Sequence, residues 1–317
     1  MTNVRWRLIH LHKSKGASRP LIWKILKKDP TLKIIYQLSS SEFSKYFLIT
    51  PQRANNLYRD LHDQEIIQSL FSDLKLCKVV TILDIDYPPL LKIINDPPLV
   101  LYFIGNYQLV FQMPLLSVVG TRNPTWEASR KMDKIIMPLI KENYVIVSGM
   151  AKGIDGIAHK LALDNQGKTI AVLGGGFNFI YPKQHLTMFQ QLVNKQLVIS
   201  EYPPNTPPKS YHFPERNRII SGLGFGTVVI EAKEKSGSLI TVEQALDQGR
   251  EVYAVPGSPL FEQTSGCHKM IQDGAKLVQN TYDIVEDWLV QREKWCRLLS
   301  ELEENASVLD RQFGTEV

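Results

Sequence analysis

The sequence predicts an α/β protein: a doubly wound, mostly parallel sheet behind a small helical module. Three observations carry this expectation. Short, nearly continuous apolar segments recur at LLSVVG (115–120), YVIVSG (144–149), TIAVLG (169–174), LVISEY (197–202), GTVVIEA (226–232) and EVYAVPG (251–257). Most are followed by a segment with helical spacing of its apolar residues, which is the pattern of parallel strands covered on both faces. Residues 1–75 show only the three-and-four spacing of helices. The expected core is therefore Rossmann-like, with ligands at the carboxyl ends of the strands.

Taken in order, LIWKILKKDPTLKIIYQL and RANNLYRDLHDQEIIQSLFSDL predict helices, with Asp29-Pro30 interrupting the first. Ser40, Ser41 and Thr50-Pro51 supply caps and helix starts. From about residue 79 the chain turns proline-punctuated and β-branched, which suits one or two edge strands leading into the sheet. The strands then alternate with WEASRKMDKIIMPLIKEN, GIDGIAHKLALDNQ, HLTMFQQLVNK, SLITVEQALDQG and SGCHKMIQDGA as helices, and from 281 the tail begins as a helix that frays in a polar end. The expected divisions are a helical module at 1–75, the sheet domain at 76–285 and a C-terminal helix and tail at 286–317.

An apolar fraction of 44% and a charged fraction of 22% are ordinary for a globular chain of 317 residues. Charge is uneven: residues 1–75 hold 13 Lys/Arg against 6 Asp/Glu, and residues 281–317 hold 4 against 9. A basic first segment permits a polyanionic partner without requiring one. Cys77, Cys267 and Cys296 are far apart, so neither a disulfide framework nor a structural metal site is expected. No run approaches the ~18 apolar residues of a membrane span, and no signal-peptide pattern opens the chain; the expectation is a cytoplasmic protein without membrane contact.

The loops after the strands carry the chemistry. VVGTRNPT places Arg122 two residues past Gly120, and SGMAKGIDG places Lys152 between Gly149 and Gly153, ahead of Asp155. LGGGFNFIYP presents Gly174, Gly175 and Gly176, then Phe177, Phe179 and Tyr181. EAKEKSGSL places Lys233, Lys235, Ser236 and Ser238 at a helix start. Glycine allows close backbone approach, and helix N-termini attract phosphate, so these loops form a candidate anion-binding rim. The dinucleotide pattern fails because Phe179 holds the third glycine position, and ALDNQGKT fails as a P-loop because Ala162 replaces the first glycine. No catalytic motif is present, and no cofactor is expected. Tyr202, Tyr211, His212 and Phe213 lead into Arg216, Asn217 and Arg218. Aromatic rings beside cationic loops suit a single nucleic-acid strand, whereas rings filling the core beneath the loops are the structural alternative.

VVGTRNPT, SGMAKGIDGIAH, AVLGGGFNFIYP, SEYPPNTPPKSYHFPERNRIISGL, VVIEAKEKSGSLITVEQAL, GREVYAVPG and GCHKMIQDGA, in this order, resemble the DNA processing protein A (DprA, or Smf) family over residues 80 to 285. The resemblance implies a non-catalytic single-stranded DNA binder that protects incoming strands in natural transformation, helps load the RecA recombinase and forms homodimers through the Rossmann-like domain. It also implies a basic pocket of Arg122, Arg216 and Arg218, with Lys152, Lys233 and Lys235 added from the same loops. The winged-helix C-terminal domain of some members is not expected here. Whether both arginines of ERNR reach one ligand depends on the local backbone: residues two apart share a face of an extended segment but diverge by about 200° on a helix. In the second case, or if a carboxylate inside the fold claims one, only one need touch DNA.

A different class is also open. GLGFGTVVIEA resembles the PGGxGTxxE loop of LOG-type nucleotide phosphoribohydrolases, with Glu231 in the acidic position, although Ser221-Gly222-Leu223-Gly224 departs from the Pro-Gly-Gly pattern.

Overall fold

In the computed structural model, residues 3–313 are described, with side chains through residue 302. The chain divides into two compact units, one running to residue 87 and including 98–102, the other comprising 88–97 and everything from 103 onward.

The first unit is helical. It contains α1 (Val4–Lys13), α2 (Arg19–Lys28), α3 (Ser40–Phe47), α4 (Pro51–His62) and α5 (Gln64–Leu76), followed by β1 (Lys78–Thr81). Each boundary has a local cause. α2 stops at Asp29, ahead of Pro30. α4 starts with Thr50 accepting the N–H of Arg53 and Pro51 in the first turn. α3 is capped by Ser39, one residue before the expected caps Ser40 and Ser41, because Glu42 lies three residues after Ser39 and completes a capping box. Leu8, Ile9, Leu11, Ile25, Phe43, Phe47 and Leu57 are buried between these helices.

The second unit holds α6 (Pro89–Lys92), the end of β2 (Val100–Gly105), β3 (Leu115–Val119), α7 (Ala128–Lys141), β4 (Val145–Ser148), α8 (Ile154–Asp164), β5 (Lys168–Leu173), α9 (Leu186–Lys195), β6 (Leu197–Ser200), α10 (His212–Leu223), β7 (Gly226–Val229), α11 (Ser238–Asp247), β8 (Glu251–Ala254), α12 (Glu262–Gln272), β9 (Lys276–Leu277) and α13 (Tyr282–Phe313). Its strands lie in the order β6-β5-β4-β3-β7-β8-β9. All neighbours are parallel, with Leu116 opposite Ile146 and Gly226, and Ile146 opposite Thr169. On one face Leu116, Val118, Ile146, Val228 and Ile230 pack with Met132, Ile136 and Leu139 of α7, and Ile154, Ala158 and Ala162 of α8. On the other, α10 lies across β3, β4 and β5, and the Ser117 hydroxyl donates to the Ile220 carbonyl at 2.7 Å. This is the doubly wound α/β architecture the strand pattern predicts.

The order reverses at β3. From it the chain builds outward through β4, β5 and β6 on one side, and returns to build β7, β8 and β9 on the other. Neighbouring loops therefore diverge beyond the carboxyl ends of β3 and β7, and a crevice opens between them. Among the described residues, no helix is long and apolar enough to cross a membrane.

His159 of α8 is fully buried and hydrogen-bonded through Nδ1 to the Thr169 hydroxyl at 2.7 Å. This is the structural role that a lone helical histidine suggests. Burial pulls its value down to about 3, from 6.5. Between those values the unfolded chain binds a proton that the folded chain refuses. The histidine's contribution is thus intact above pH 6.5 and is lost as pH falls toward 3. Urea unfolding between pH 7 and 5 is expected to show stability falling toward a slope of about 1.4 kcal/mol per pH unit from this group. A His159→Gln variant should remove that component, and an unchanged slope would refute the assignment.

Candidate nucleic-acid interface

The crevice between β3 and β7 is a cavity of about 520 Å³. Four stretches of chain contribute to its wall: 119–123 at and after the end of β3, Ala151 and Asp155 after β4, residues of α10 and the turn before it such as Phe213 and Arg216, and residues after β7 such as Lys233 and Ser238.

Residues 212–223 form a helix, and this decides the fate of the two arginines. Pro214 sits in its first turn, where the missing N–H costs nothing, and Glu215 faces the positive end of the helix dipole. Arg216 and Arg218 therefore point about 200° apart. Arg216 lines the cavity; its Nη1 donates to the carbonyls of Gly149, at 2.6 Å, and Val172, and its Nε donates to Asn217 Oδ1 at 3.2 Å. Arg218 turns into the fold. Its Nη2 donates to Glu201 at 2.7 Å, Nε to Asp96 at 3.2 Å and Nη1 to the Glu215 carbonyl at 2.9 Å. Arg218 and Glu201 are both buried, and Arg218 does not line the cavity. The expectation of a phosphate contact at Arg218 is corrected accordingly: an internal carboxylate claims it.

Arg216 differs in its electrostatics. It is only 4% exposed, and among the described residues no carboxylate lies within ion-pair distance of it. Burial lowers it to about 10, with Asp155 opposing that shift, so the guanidinium is charged at neutral pH. Asp155 in turn is raised by burial, a shift opposed by Arg216 and then by the N–H groups of Ala151 and Gly149. A buried cation resting on carbonyl oxygens, at the wall of an open cavity, favours an anion there.

Arg122 is exposed and reaches the cavity from the β3 loop, its guanidinium 5.9 Å from the centre of the Phe213 ring. Phe213 also lines the cavity and lies 5.6 Å from Tyr181. Of the other rings, Tyr202 stacks on His212 at 3.9 Å and donates to Glu215, and Phe177 is buried; these serve the fold. Phe179, Tyr181 and Tyr211 are exposed. Asn217 lines the cavity and braces Arg216 from within the helix rather than from a loop.

Lys233, Ser236 and Ser238 line the cavity at the start of α11, with Ser236 and Ser238 bonded to each other at 2.7 Å; Lys233 also meets Glu262 at 2.5 Å. Lys235 is exposed and does not line it. Lys152 lines a second, adjoining cavity instead.

The glycines expected to cradle phosphate mostly accommodate protein. A Cβ on Gly149 would overlap the Arg216 guanidinium, so Gly149 is what lets Arg216 lie there. Gly174 is covered by the Phe213 ring, Gly175 by Pro208, and Gly176 by the carbonyls of Pro203 and Pro204. Gly120 lines the cavity but packs on Ile154 and the Glu231 carbonyl. Gly153, at φ +84°, permits a close pass against the backbone of Thr121 and Arg122. Asn123, Ser210 and Thr241 also line the cavity, and the sequence reading does not single them out. Adjacency to Arg122 is a signal that could have found Asn123; the other two are brought in by tertiary structure.

Glu231, the acidic residue of the alternative enzymatic reading, is fully buried. It accepts from the Thr125 hydroxyl at 2.6 Å, the Thr125 N–H at 2.8 Å and Lys131 at 2.7 Å, and it does not line the cavity. Among the described residues, no group of three or more His, Cys, Asp or Glu is placed to hold a metal.

Fold and site together define a Rossmann-like α/β protein with a cationic, aromatic-edged crevice at the switch point of its sheet. The family of DNA recombination-mediator protein A matches residues 78–289, and the chain belongs to it. It is 46% identical over 201 residues to DNA processing protein DprA of Bacillus subtilis, covering 63% of this chain and 68% of that one. It is 47% identical over 208 residues to DNA processing protein DprA of Streptococcus pneumoniae, covering 66% and 73%. The X-ray structure of the S. pneumoniae protein superposes with a TM-score of 0.77 at 39% identity, over 88% of this chain and 97% of that one. A Helicobacter pylori DNA processing protein A, whose structure was described for its single-stranded DNA binding mode, superposes with a TM-score of 0.61 at 27% identity, over 68% and 97%.

Proposed function

We propose that this chain binds single-stranded DNA in the crevice between β3 and β7, without catalytic turnover. The observation that carries the reading is Arg216: a buried guanidinium with no carboxylate at ion-pair distance among the described residues, at the wall of a 520 Å³ cavity, with Arg122 beside it. Arginine's planar fork suits phosphate oxygens, and the half-buried Phe213 ring at the cavity wall suits a stacked base. The H. pylori relative's single-stranded DNA binding mode supports the same ligand class. Lys233, Ser236, Ser238 and Asn217 add polar groups to the lining around the strand. In this reading the DNA is held by the sheet domain drawn from residues 76–285, of which 76–87 and 98–102 group instead with the helical unit that contains residues 1–75; residues 286–313 lie in the C-terminal helix. The wider role is protection of incoming strands during transformation and loading of RecA, performed as a cytoplasmic homodimer; family membership supports it.

Arg122 gives the clearest test, because it is exposed and its replacement leaves the core intact. Fluorescence anisotropy with labelled oligo-dT should show Arg122→Glu binding at least about tenfold more weakly, the scale of one charged hydrogen bond. Equal affinity of variant and parent would reject the crevice as the binding site.

A further inference from the structure

A second cavity, of about 540 Å³, adjoins the first, and Arg122 and Asn123 line both. Its other polar lining comes from Lys152, Lys160, Gln184 and His185. No carboxylate lines it, in contrast to the first, which contains Asp155. Its wall is shaped by two close approaches. Gly153, at φ +84°, lets the start of α8 pass beneath the Arg122 backbone. Gly156 leaves room for the His185 ring, whose Cε1 would stand 2.7 Å from any Cβ there. His185 is held by Nδ1 donating to the Met150 carbonyl at 3.0 Å, so Nε2 is the ring's remaining polar atom. Lys160 bonds Asp164 at 2.6 Å, but both are exposed, and such a pair is weak enough to yield to a phosphate.

We propose that this second cavity takes the next stretch of the same single strand. Lys152 and Lys160 meet its backbone phosphates, and Gln184 and His185 supply hydrogen bonds to sugars or base edges. Arg122, common to both cavities, marks the passage from one to the other. A flexible polyanion fits this geometry better than a separate small anion, because Arg122 and Asn123 line both cavities and one strand could meet both through them. The proposal rests on the reading of the first cavity as a single-strand site.

The test is a length series of oligo-dT from about 4 to about 16 nucleotides, the span of single-strand site sizes, measured with the full chain and with Lys160→Glu and Gln184→Glu. Both substitutions lie outside the first cavity. Short oligonucleotides should bind parent and variants alike. Long ones should bind the parent more tightly than short ones and bind the variants several-fold more weakly, with a salt slope shallower by about 0.7 for each phosphate that the variant no longer holds. Variants equal to the parent at every length would overturn the inference and leave the first cavity standing. Equal weakening at every length would also overturn it, because the effect would then be a general field on the first cavity. If the parent binds no oligonucleotide of any length, the underlying reading fails and takes this one with it.

Discussion

Arg216→Ala is expected to lose oligonucleotide binding and to destabilise the fold at the same time. The guanidinium donates to the carbonyls of Gly149, just past β4, and Val172, near the carboxyl end of β5. Orphaning buried carbonyls costs about 1–3 kcal/mol each where water cannot replace the donor. Asp155 also loses the charge that most opposes the upward shift caused by its burial. The pH dependence then has a definite sign. A carboxyl whose folded value is raised contributes stability below its unfolded value, near 3.8, that is lost as pH rises through the folded value. Removing Arg216 lifts the folded value further. The variant should therefore be weakest, relative to the parent, at neutral pH and recover part of the difference in acid. Adding Asp155→Asn should restore part of the neutral-pH stability and none of the binding. Urea titrations at two pH values, paired with anisotropy on the folded fraction, read both effects; a variant that binds normally would remove Arg216 from the interface.

Arg218→Ala, two residues away, should behave differently. It takes the guanidinium from Glu201, a buried carboxylate, and from Asp96. Breaking a buried ion pair from one side costs about 3–5 kcal/mol, because the remaining charge stays desolvated. Replacing the pair together, as Arg218→Met with Glu201→Leu, should recover much of that loss, since an apolar pair of similar volume is often neutral. Oligonucleotide affinity of the folded Arg218→Ala fraction should match the parent. Stability within about 0.5 kcal/mol of the parent, the range of ordinary surface changes, combined with an absence of binding would contradict the internal role.

The two arginines also mark how far the sequence alone can be read. The parallel sheet is legible because buried strands read as uninterrupted apolar runs, and β3 to β8 begin within a residue or so of the expected segments. The loops that build the crevice are legible because Arg122 follows the end of β3 and the KSGSL serines stand at the start of α11. The ERNR backbone is ambiguous in sequence, because both an extended and a helical form fit its residues. The partner of Arg218 is hidden, since Glu201 and Asp96 approach only through tertiary packing, Asp96 from 122 positions away. The glycines after β5 look like a phosphate loop because the sequence shows the missing side chains, not what fills their space. Here Phe213 and the 203–208 segment fill it. β9, two residues long, carries no periodicity to detect.

The most direct measurement is the salt dependence of oligo-dT affinity for the parent and for Arg122→Gln. If the crevice grips phosphates, log K falls linearly with log salt, by about 0.7 for each phosphate held on a single strand, and the variant's slope is shallower by about one such increment. Affinity indifferent to salt, or an identical slope in the two proteins, would contradict a cationic crevice that holds the strand by its backbone.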